Sequence, residues 1–158
     1  WWKKDDPDME QVLLEIVDIW HFGLSSLLVL NSDWALTASN VDKKWTADDR
    51  TVGFYAAVEG LAEAALQTKQ FSIPEFCSIL LACDFSFEDL YRSYIGKNVL
   101  NQFRQNNGYK TGEYIKTWHG EEDNEVLSEI LKDLNYQSDD FENLVYVSLE
   151  SRYPNRHG

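Results

Sequence analysis

Two carboxylates, Glu15 and Asp18, stand three positions apart in an otherwise apolar stretch. In a helix, residues i and i+3 share a face, so both side chains would point the same way. Acids among apolar neighbours are costly unless a positive charge compensates them. Mg²⁺ prefers carboxylate and water oxygens as ligands, so the pair predicts a magnesium site. The alternative is a pair of surface acids on an amphipathic helix.

A second set of candidate residues is basic and lies between Arg92 and Lys116. This window holds five cations and one acid, although the whole chain carries a formal net charge of −13. A basic island in an acidic protein indicates a compact anionic ligand. Lys97, Asn101 and Arg104 follow the spacing i, i+4, i+7, which predicts one helix stripe able to bind phosphate oxygens. The alternative is a solvated basic face.

The segment Gly108 to Gly112 follows this stripe and is polar and rich in glycine. Such a segment predicts a bendable loop that can close over a ligand, with Tyr109 and Lys110 adding a hydroxyl and a charge. An ordinary solvent-exposed loop is the alternative. Further along, residues 118–124 are interpreted as the acidic start of a helix.

Several classes of protein are excluded by what the sequence lacks. It contains no P-loop, GxGxxG, GxSxG or HExxH motif. Paired acids and a basic stripe without a P-loop indicate metal-assisted attack of water on a phosphoanhydride. The negative charge argues against a nucleic-acid partner, and no apolar run or leader indicates a membrane partner. The two cysteines suggest no disulfide framework, which suits the cytoplasm.

Helical caps and apolar spacing predict an all-α fold of five or six helices in a single domain over residues 1–158. Ser72 with Glu75 and Ser86 with Asp89 are interpreted as capping boxes. Apolar residues fill five of the seven positions 24–30, which predicts a central helix segment. Residues 31–49 are predicted to be a long loop. The helices are predicted at about 8–30, 51–68, 72–82, 86–105, 124–134 and 140–152.

Three stretches of the chain resemble the all-α dimeric dUTPases of kinetoplastids, some bacteria and some phages. They are Glu15–Phe22, the seventeen residues Tyr94–Lys110, and Gly120–Leu127. The resemblance runs from Trp2 to about Leu134. It implies a helical bundle of the all-α NTP pyrophosphatase type, acting as a homodimer.

The resemblance also implies an activity and a set of site residues. The activity is Mg²⁺-dependent hydrolysis of dUTP and dUDP to dUMP, which limits dUTP and supplies dUMP for dTMP synthesis. Glu15 and Asp18 fall where the family binds metal. His21, Phe22 and Asn124 fall on the base and sugar side. The positions on the phosphates and sugar are Lys97, Asn101, Arg104, Tyr109 and Lys110, with Lys116 as a further phosphate contact.

The chain departs from the family pattern at its start. The family has two further metal-binding glutamates, one of them the general base, before the Trp-Lys motif that Trp2 and Lys3 continue. We therefore expect the chain to be the larger, C-terminal part of a longer dUTPase. This piece alone is expected to show little activity and to expose apolar surface around Trp20 and residues 24–30. The rival hypotheses are an NTP pyrophosphatase with another nucleotide preference and a non-catalytic helical interaction protein.

Overall fold

A computed structural model describes residues 8–30, 33–45 and 52–154 of the 158-residue chain. Within these ranges the regular structure is almost entirely helical, so the all-α prediction is confirmed. The seven described helices exceed the five or six predicted. They are α1 (Met9–Leu30), α2 (Trp34–Trp45), α3 (Phe54–Thr68), α4 (Ile73–Ala82), α5 (Phe87–Asn106), α6 (Asp123–Asp133) and α7 (Phe141–Arg152). A hairpin of β1 (Thr117–Trp118) and β2 (Glu121–Glu122) precedes α6.

The described residues form two compact units, and α1 contributes to both. The first unit contains residues 8–14 and 88–154, and the second contains residues 15–87. Each unit has its own buried apolar core. The single domain expected over residues 1–158 stays a prediction.

The core of the first unit is built by α5, α6 and α7. Phe103 of α5 is 1% exposed and meets the rings of Trp118 and Tyr146 at 5.8 and 5.4 Å between centroids. Gly96 lets α6 approach α5 closely, because a Cβ at this position would lie 2.7 Å from Cδ1 of Leu131. Helix α5, which carries Lys97, Asn101 and Arg104, is therefore held close to α6, which carries Asn124.

In the second unit, α2 and α3 both pack on α4. An aromatic cluster joins these helices to the second half of α1. The Trp20 ring stacks on Phe76 at 5.0 Å and meets Trp45 edge-on at 5.5 Å. Phe71 lies 6.0 Å from Trp20 in the same cluster.

The predicted loop over residues 31–49 is wrong for residues 34–45, which form α2. Asp33 begins this helix, since its Oδ1 accepts a hydrogen bond from the Leu36 amide at 3.0 Å. Trp34, Ala38, Val41 and Trp45 of α2 follow helical spacing, a signal that the sequence prediction overlooked. Apart from Asp33, the other residues of the predicted loop lie outside the described ranges.

The start of α4 differs from the predicted cap. Ser72 is the N-cap of α4, but its side chain makes no capping hydrogen bond. The capping box occurs instead at α6, where Glu125 Oε2 accepts from the Glu122 amide at 2.7 Å. A glutamate at the N-cap is uncommon, which is why the sequence pattern did not reveal this box.

The second half of α1 is not central as predicted, because Val29 and Leu30 are 87% and 65% exposed. Trp20, expected in an exposed apolar surface, is 6% exposed within the aromatic cluster. By length and composition alone α1 could cross a membrane, contrary to the sequence expectation. The same test is passed by core helices of soluble proteins, and Leu14 and Val17 of α1 are buried in the protein.

Candidate functional site

Arg104, near the end of α5, forms a bidentate ion pair with Asp123, the first residue of α6. Arg104 Nε donates to Asp123 Oδ2 and Nη2 donates to Oδ1, both at 2.8 Å. The Asp123 side chain is 0% exposed. Burial lowers the pKa of Arg104, but the hydrogen bonds and negative charge of Asp123 outweigh it, so the net pKa is raised. The guanidinium therefore stays charged in a nearly closed environment.

Two asparagines complete the coordination of the guanidinium. Nη1 donates to Asn101 Oδ1 at 3.1 Å, and Nη2 donates to Asn124 Oδ1 at 3.2 Å. The structure thus brings Asn124, predicted on the base and sugar side, together with Asn101 and Arg104, predicted on the phosphates and sugar. Within the described residues, one Nη1 hydrogen of Arg104 and the Nδ2 groups of both asparagines have no protein acceptor.

Tyr114 is a second partner of Asp123 that the sequence did not predict. Its hydroxyl donates to Asp123 Oδ2 at 2.8 Å. Burial raises the pKa of Tyr114 well above its ordinary value, and the hydrogen bond to Asp123 raises it further. Its ring lies 6.0 Å from Tyr109 and stacks on Tyr153 at 5.5 Å. The Arg104–Asp123 pair spans 19 residues of sequence, so no local spacing could have revealed it.

The predicted bendable loop is a single helical turn over Tyr109–Thr111, flanked by glycines with positive φ. Gly108 has φ 86° and Gly112 has φ 75°, conformations that disfavour other residues. The Glu113 amide donates to the Gly108 carbonyl at 3.0 Å and closes the turn. Tyr109 and Lys110 are both exposed on it, so their side chains are accessible to a ligand.

The two remaining lysines of the basic set differ in environment. Lys97 of α5 is 5% exposed, so it is not part of a solvated basic face. Lys116 is exposed, and its Nζ lies 3.1 Å from Glu122 Oε2. The Lys116 carbonyl accepts a hydrogen bond from the Asp123 amide at 3.0 Å, which ties it to the start of α6. Lys97 and Lys116 therefore belong to the same unit as the Arg104 network.

The acidic pair lies on α1 in the second unit. Glu15 is exposed and Asp18 is half-buried, whereas the adjacent residues Ile16 and Val17 are fully buried. The expected burial cost therefore does not apply to Glu15. Among the described residues, no group of three or more acids, histidines or cysteines is placed to hold a metal ion. Glu15 and Asp18 form a group of two carboxylates on one helix.

Two of the three residues predicted on the base and sugar side, His21 and Phe22, lie one turn further along α1, and the third, Asn124, lies on α6. His21 is half-buried, and Phe22 is 77% exposed. Phe22 lines an open, mostly apolar groove of about 620 Å³ with Val58 and Leu61 of α3. Gly23 and Phe71 also line the groove and lie close together, because a Cβ at position 23 would be 2.6 Å from the Phe71 ring. A flat apolar ligand can contact this surface.

Comparison with known families gives one match. A family model described as dUTPase matches residues 1–109. A search of curated proteins found no match. The matched region contains Glu15, Asp18 and the stripe of α5, whereas Tyr114, Asp123 and Asn124 lie beyond it. The chain therefore belongs to the all-α dUTPase family and is a dUTP diphosphatase, a hydrolase of nucleotide metabolism.

Proposed function

We propose that this chain hydrolyses dUTP and dUDP to dUMP with the help of Mg²⁺. The observation that carries the proposal is the fixed group of hydrogen-bond donors around Arg104 in a chain of the dUTPase family. The activity would limit cytoplasmic dUTP and supply dUMP for dTMP synthesis.

The phosphates and sugar would be bound by the first unit. Phosphate oxygens only accept hydrogen bonds, and Arg104 already turns the Oδ1 atoms of Asn101 and Asn124 towards itself. The amide Nδ2 groups are then the donors left for a ligand. Because Asp123 offsets the charge of Arg104, we expect lysines to neutralise the phosphates. They are Lys97, Lys110 and Lys116, with the Tyr109 hydroxyl as a further donor.

Glu15 and Asp18 would hold Mg²⁺. Glu15 is exposed and has no protein partner among the described residues. Mg²⁺ is usually bound in proteins by one or two carboxylates together with waters and substrate phosphates, so the pair fits this ion. When bound, the ion would offset charge on the phosphate oxygens and make phosphorus easier to attack. The carboxylates themselves orient the ion on the exposed side of α1.

The base and sugar side would involve His21, Phe22 and Asn124. The exposed Phe22 ring offers a surface for stacking, and aromatic rings gain roughly 0.5–1.5 kcal/mol from such contacts. Asn124 is held by Arg104 at 3.2 Å and could donate to a sugar or phosphate oxygen. His21, which directly precedes Phe22 on α1, adds a half-buried polar ring.

The chain would act as a homodimer. Five large apolar or aromatic side chains of the second unit are each at least 70% exposed, which favours an interface with a partner protein. They are Phe22 (77%), Val29 (87%), Trp34 (75%), Tyr55 (83%) and Leu66 (70%).

Binding of a non-hydrolysable dUTP analogue, with an imido group between the α and β phosphates, tests the proposed site. Titration calorimetry on the full natural protein should show tighter binding with Mg²⁺ than with EDTA. Asn101→Ala should weaken binding about tenfold, as expected for loss of a hydrogen bond to a charged group. The matched control is Gln102→Ala, an exposed neighbour on α5 that bonds only Asn106, at 2.8 Å. Unchanged affinity in Asn101→Ala would remove the Arg104 group from the proposed site.

A further inference from the structure

We propose that Asp123 and Tyr114 are positioning residues that aim Arg104 and, through it, the amide donors of Asn101 and Asn124. This inference rests on the proposed function, because it assumes that these donors bind the phosphates or sugar of the substrate. It adds two residues that neither spacing nor the family match assigns to the site.

The support begins at the Asp123 carboxylate, which is fully buried and uses both oxygens within the protein. Oδ1 accepts from Arg104 Nη2, and Oδ2 accepts from Arg104 Nε and the Tyr114 hydroxyl, all at 2.8 Å. Bonds of this kind are short and directional because one partner is charged. Asp123 is therefore a fixed anchor rather than a ligand for substrate or metal.

The anchor determines the orientation of the guanidinium. The group is planar and has five N–H donors in a rigid fork. With Nε and one Nη2 hydrogen held by Asp123, the remaining donors are directed towards Asn101 at 3.1 Å and Asn124 at 3.2 Å. Each asparagine must then turn its Nδ2 away from Arg104. Acceptor oxygens of a ligand would then meet the Nδ2 donors of the two asparagines. If an asparagine amide were rotated, its Oδ1 would face the ligand and repel the ligand oxygens.

Tyr114 holds the same anchor from the other side and also touches the exposed turn. Its hydroxyl donates to Asp123 Oδ2 at 2.8 Å, and its raised pKa keeps this donor protonated further into the alkaline range. Its ring lies 6.0 Å from the Tyr109 ring on the glycine-flanked turn. The carboxylate, the guanidinium and the turn are thereby linked by one side chain.

The test is a double-mutant cycle on affinity for the imido-dUTP analogue. Tyr114→Phe removes one hydroxyl and keeps the ring, and Tyr146→Phe is the matched control. The Tyr146 hydroxyl bonds only Asn106 at 3.0 Å, while its ring packs on Phe103 at 5.4 Å. We expect Tyr114→Phe to weaken binding at least fivefold and Tyr146→Phe to leave it unchanged. In an Asn101→Ala background, Tyr114→Phe should have a much smaller effect, because coupled residues are not additive.

The outcomes separate this inference from the proposed function. Suppose that Asn101→Ala shows the expected tenfold loss of affinity. Unchanged affinity in Tyr114→Phe, or fully additive effects of the two substitutions, would then overturn the positioning role alone. Unchanged affinity in Asn101→Ala overturns the proposed site itself. Asp123→Glu and Asp123→Asn are a second pair of variants. Asp123→Glu keeps the carboxylate on a longer side chain, whereas Asp123→Asn removes the negative charge, so Asp123→Glu should bind the analogue more tightly. Equal binding by these two variants would also overturn the role of the carboxylate, with thermal melting used to confirm that each is folded.

Discussion

At the scale of single residues, Arg104 directs most of its hydrogen bonds to protein groups. Four hydrogen bonds from its guanidinium reach Asp123, Asn101 and Asn124. Breaking a buried pair by removing one partner typically costs about 3–5 kcal/mol, because the other charge is left uncompensated. Removing either Arg104 or Asp123 should therefore affect folding and ligand binding together. Substitutions that keep the charge separate the two effects better.

Arg104→Lys keeps the positive charge but loses the planar fork. A single ammonium cannot hold both oxygens of Asp123 and both asparagines, so we predict at least a tenfold loss in kcat/KM for dUTP. Steady-state kinetics measure this loss. The control is Arg152→Lys, since Arg152 makes one exposed ion pair with Glu129 at 2.8 Å. Equal kinetics for Arg104→Lys and wild type would show that the fork geometry is irrelevant.

Glu15→Gln should lower turnover of dUTP at least a hundredfold while leaving the fold intact. The exposed carboxylate contributes nothing to the core, and its loss removes one of two proposed ligands for Mg²⁺. Turnover measured across a Mg²⁺ titration, together with circular dichroism, checks both parts. Glu59→Gln on α3 is an exposed acid for comparison. Near wild-type activity at all Mg²⁺ concentrations would exclude Glu15 from the site.

Tyr114 should also make stability depend on pH in the alkaline range. Its pKa is raised in the folded state, so above about pH 10 the unfolded chain loses a proton that the folded chain retains. Unfolding is then favoured as pH rises. We predict that the stability advantage of wild type over Tyr114→Phe is full below pH 10 and shrinks above it. Urea unfolding of both proteins between pH 8 and 11 measures this, and a constant difference would argue against the raised pKa.

At the scale of elements, most helices were predictable because their ends and apolar positions carry local signals. Pro74 lies in the first turn of α4, and α5 ends before Gly108. In contrast, α2 was missed although Trp34, Val41 and Trp45 follow helical spacing, because polar residues fill half of its positions. The hairpin before α6 has two residues per strand, too few to show alternation, and turns at His119 and Gly120 with positive φ.

The capping box of α6 is the element that places Asp123 and Asn124. Glu125→Ala removes the bond to the Glu122 amide and should lower the free energy of unfolding by about 1 kcal/mol. Because the first turn of α6 carries both site residues, affinity for the dUTP analogue should fall as well. Denaturant unfolding and calorimetry measure the two effects. Glu121→Ala, an exposed acid on β2, should change neither, and the same small effect from both variants would contradict a role for the cap.

At the scale of the whole molecule, the sequence located the candidate residues better than it located their partners. Spacing correctly placed Asn101 and Arg104 within reach of each other, three positions apart on α5. It could not place Asp123 opposite Arg104, because tertiary packing of α5 on α6 makes that contact. It also could not distinguish buried Lys97 from exposed Lys110, since both are lysines in a basic window.

Self-association is a further property of the whole molecule. We predict that the protein sediments as a dimer and that Leu66→Glu shifts it towards monomer by placing a charge on an exposed apolar side chain. Gln67→Glu is the control, because it adds a carboxylate at the next position of α3, where the wild-type side chain is already exposed and polar. It should leave the dimer unchanged. Analytical ultracentrifugation measures the masses, and a wild-type monomer at micromolar concentration would contradict the homodimer.

The products formed from dUTP test the central claim most directly. The full natural protein is incubated with dUTP and Mg²⁺, and the nucleotides and phosphates are separated by ion-exchange chromatography. We predict equal amounts of dUMP and pyrophosphate, no turnover in EDTA, and recovery when Mg²⁺ is added back. Intact dUTP after prolonged incubation, release of orthophosphate in place of pyrophosphate, or turnover that EDTA does not affect would contradict the proposed reaction.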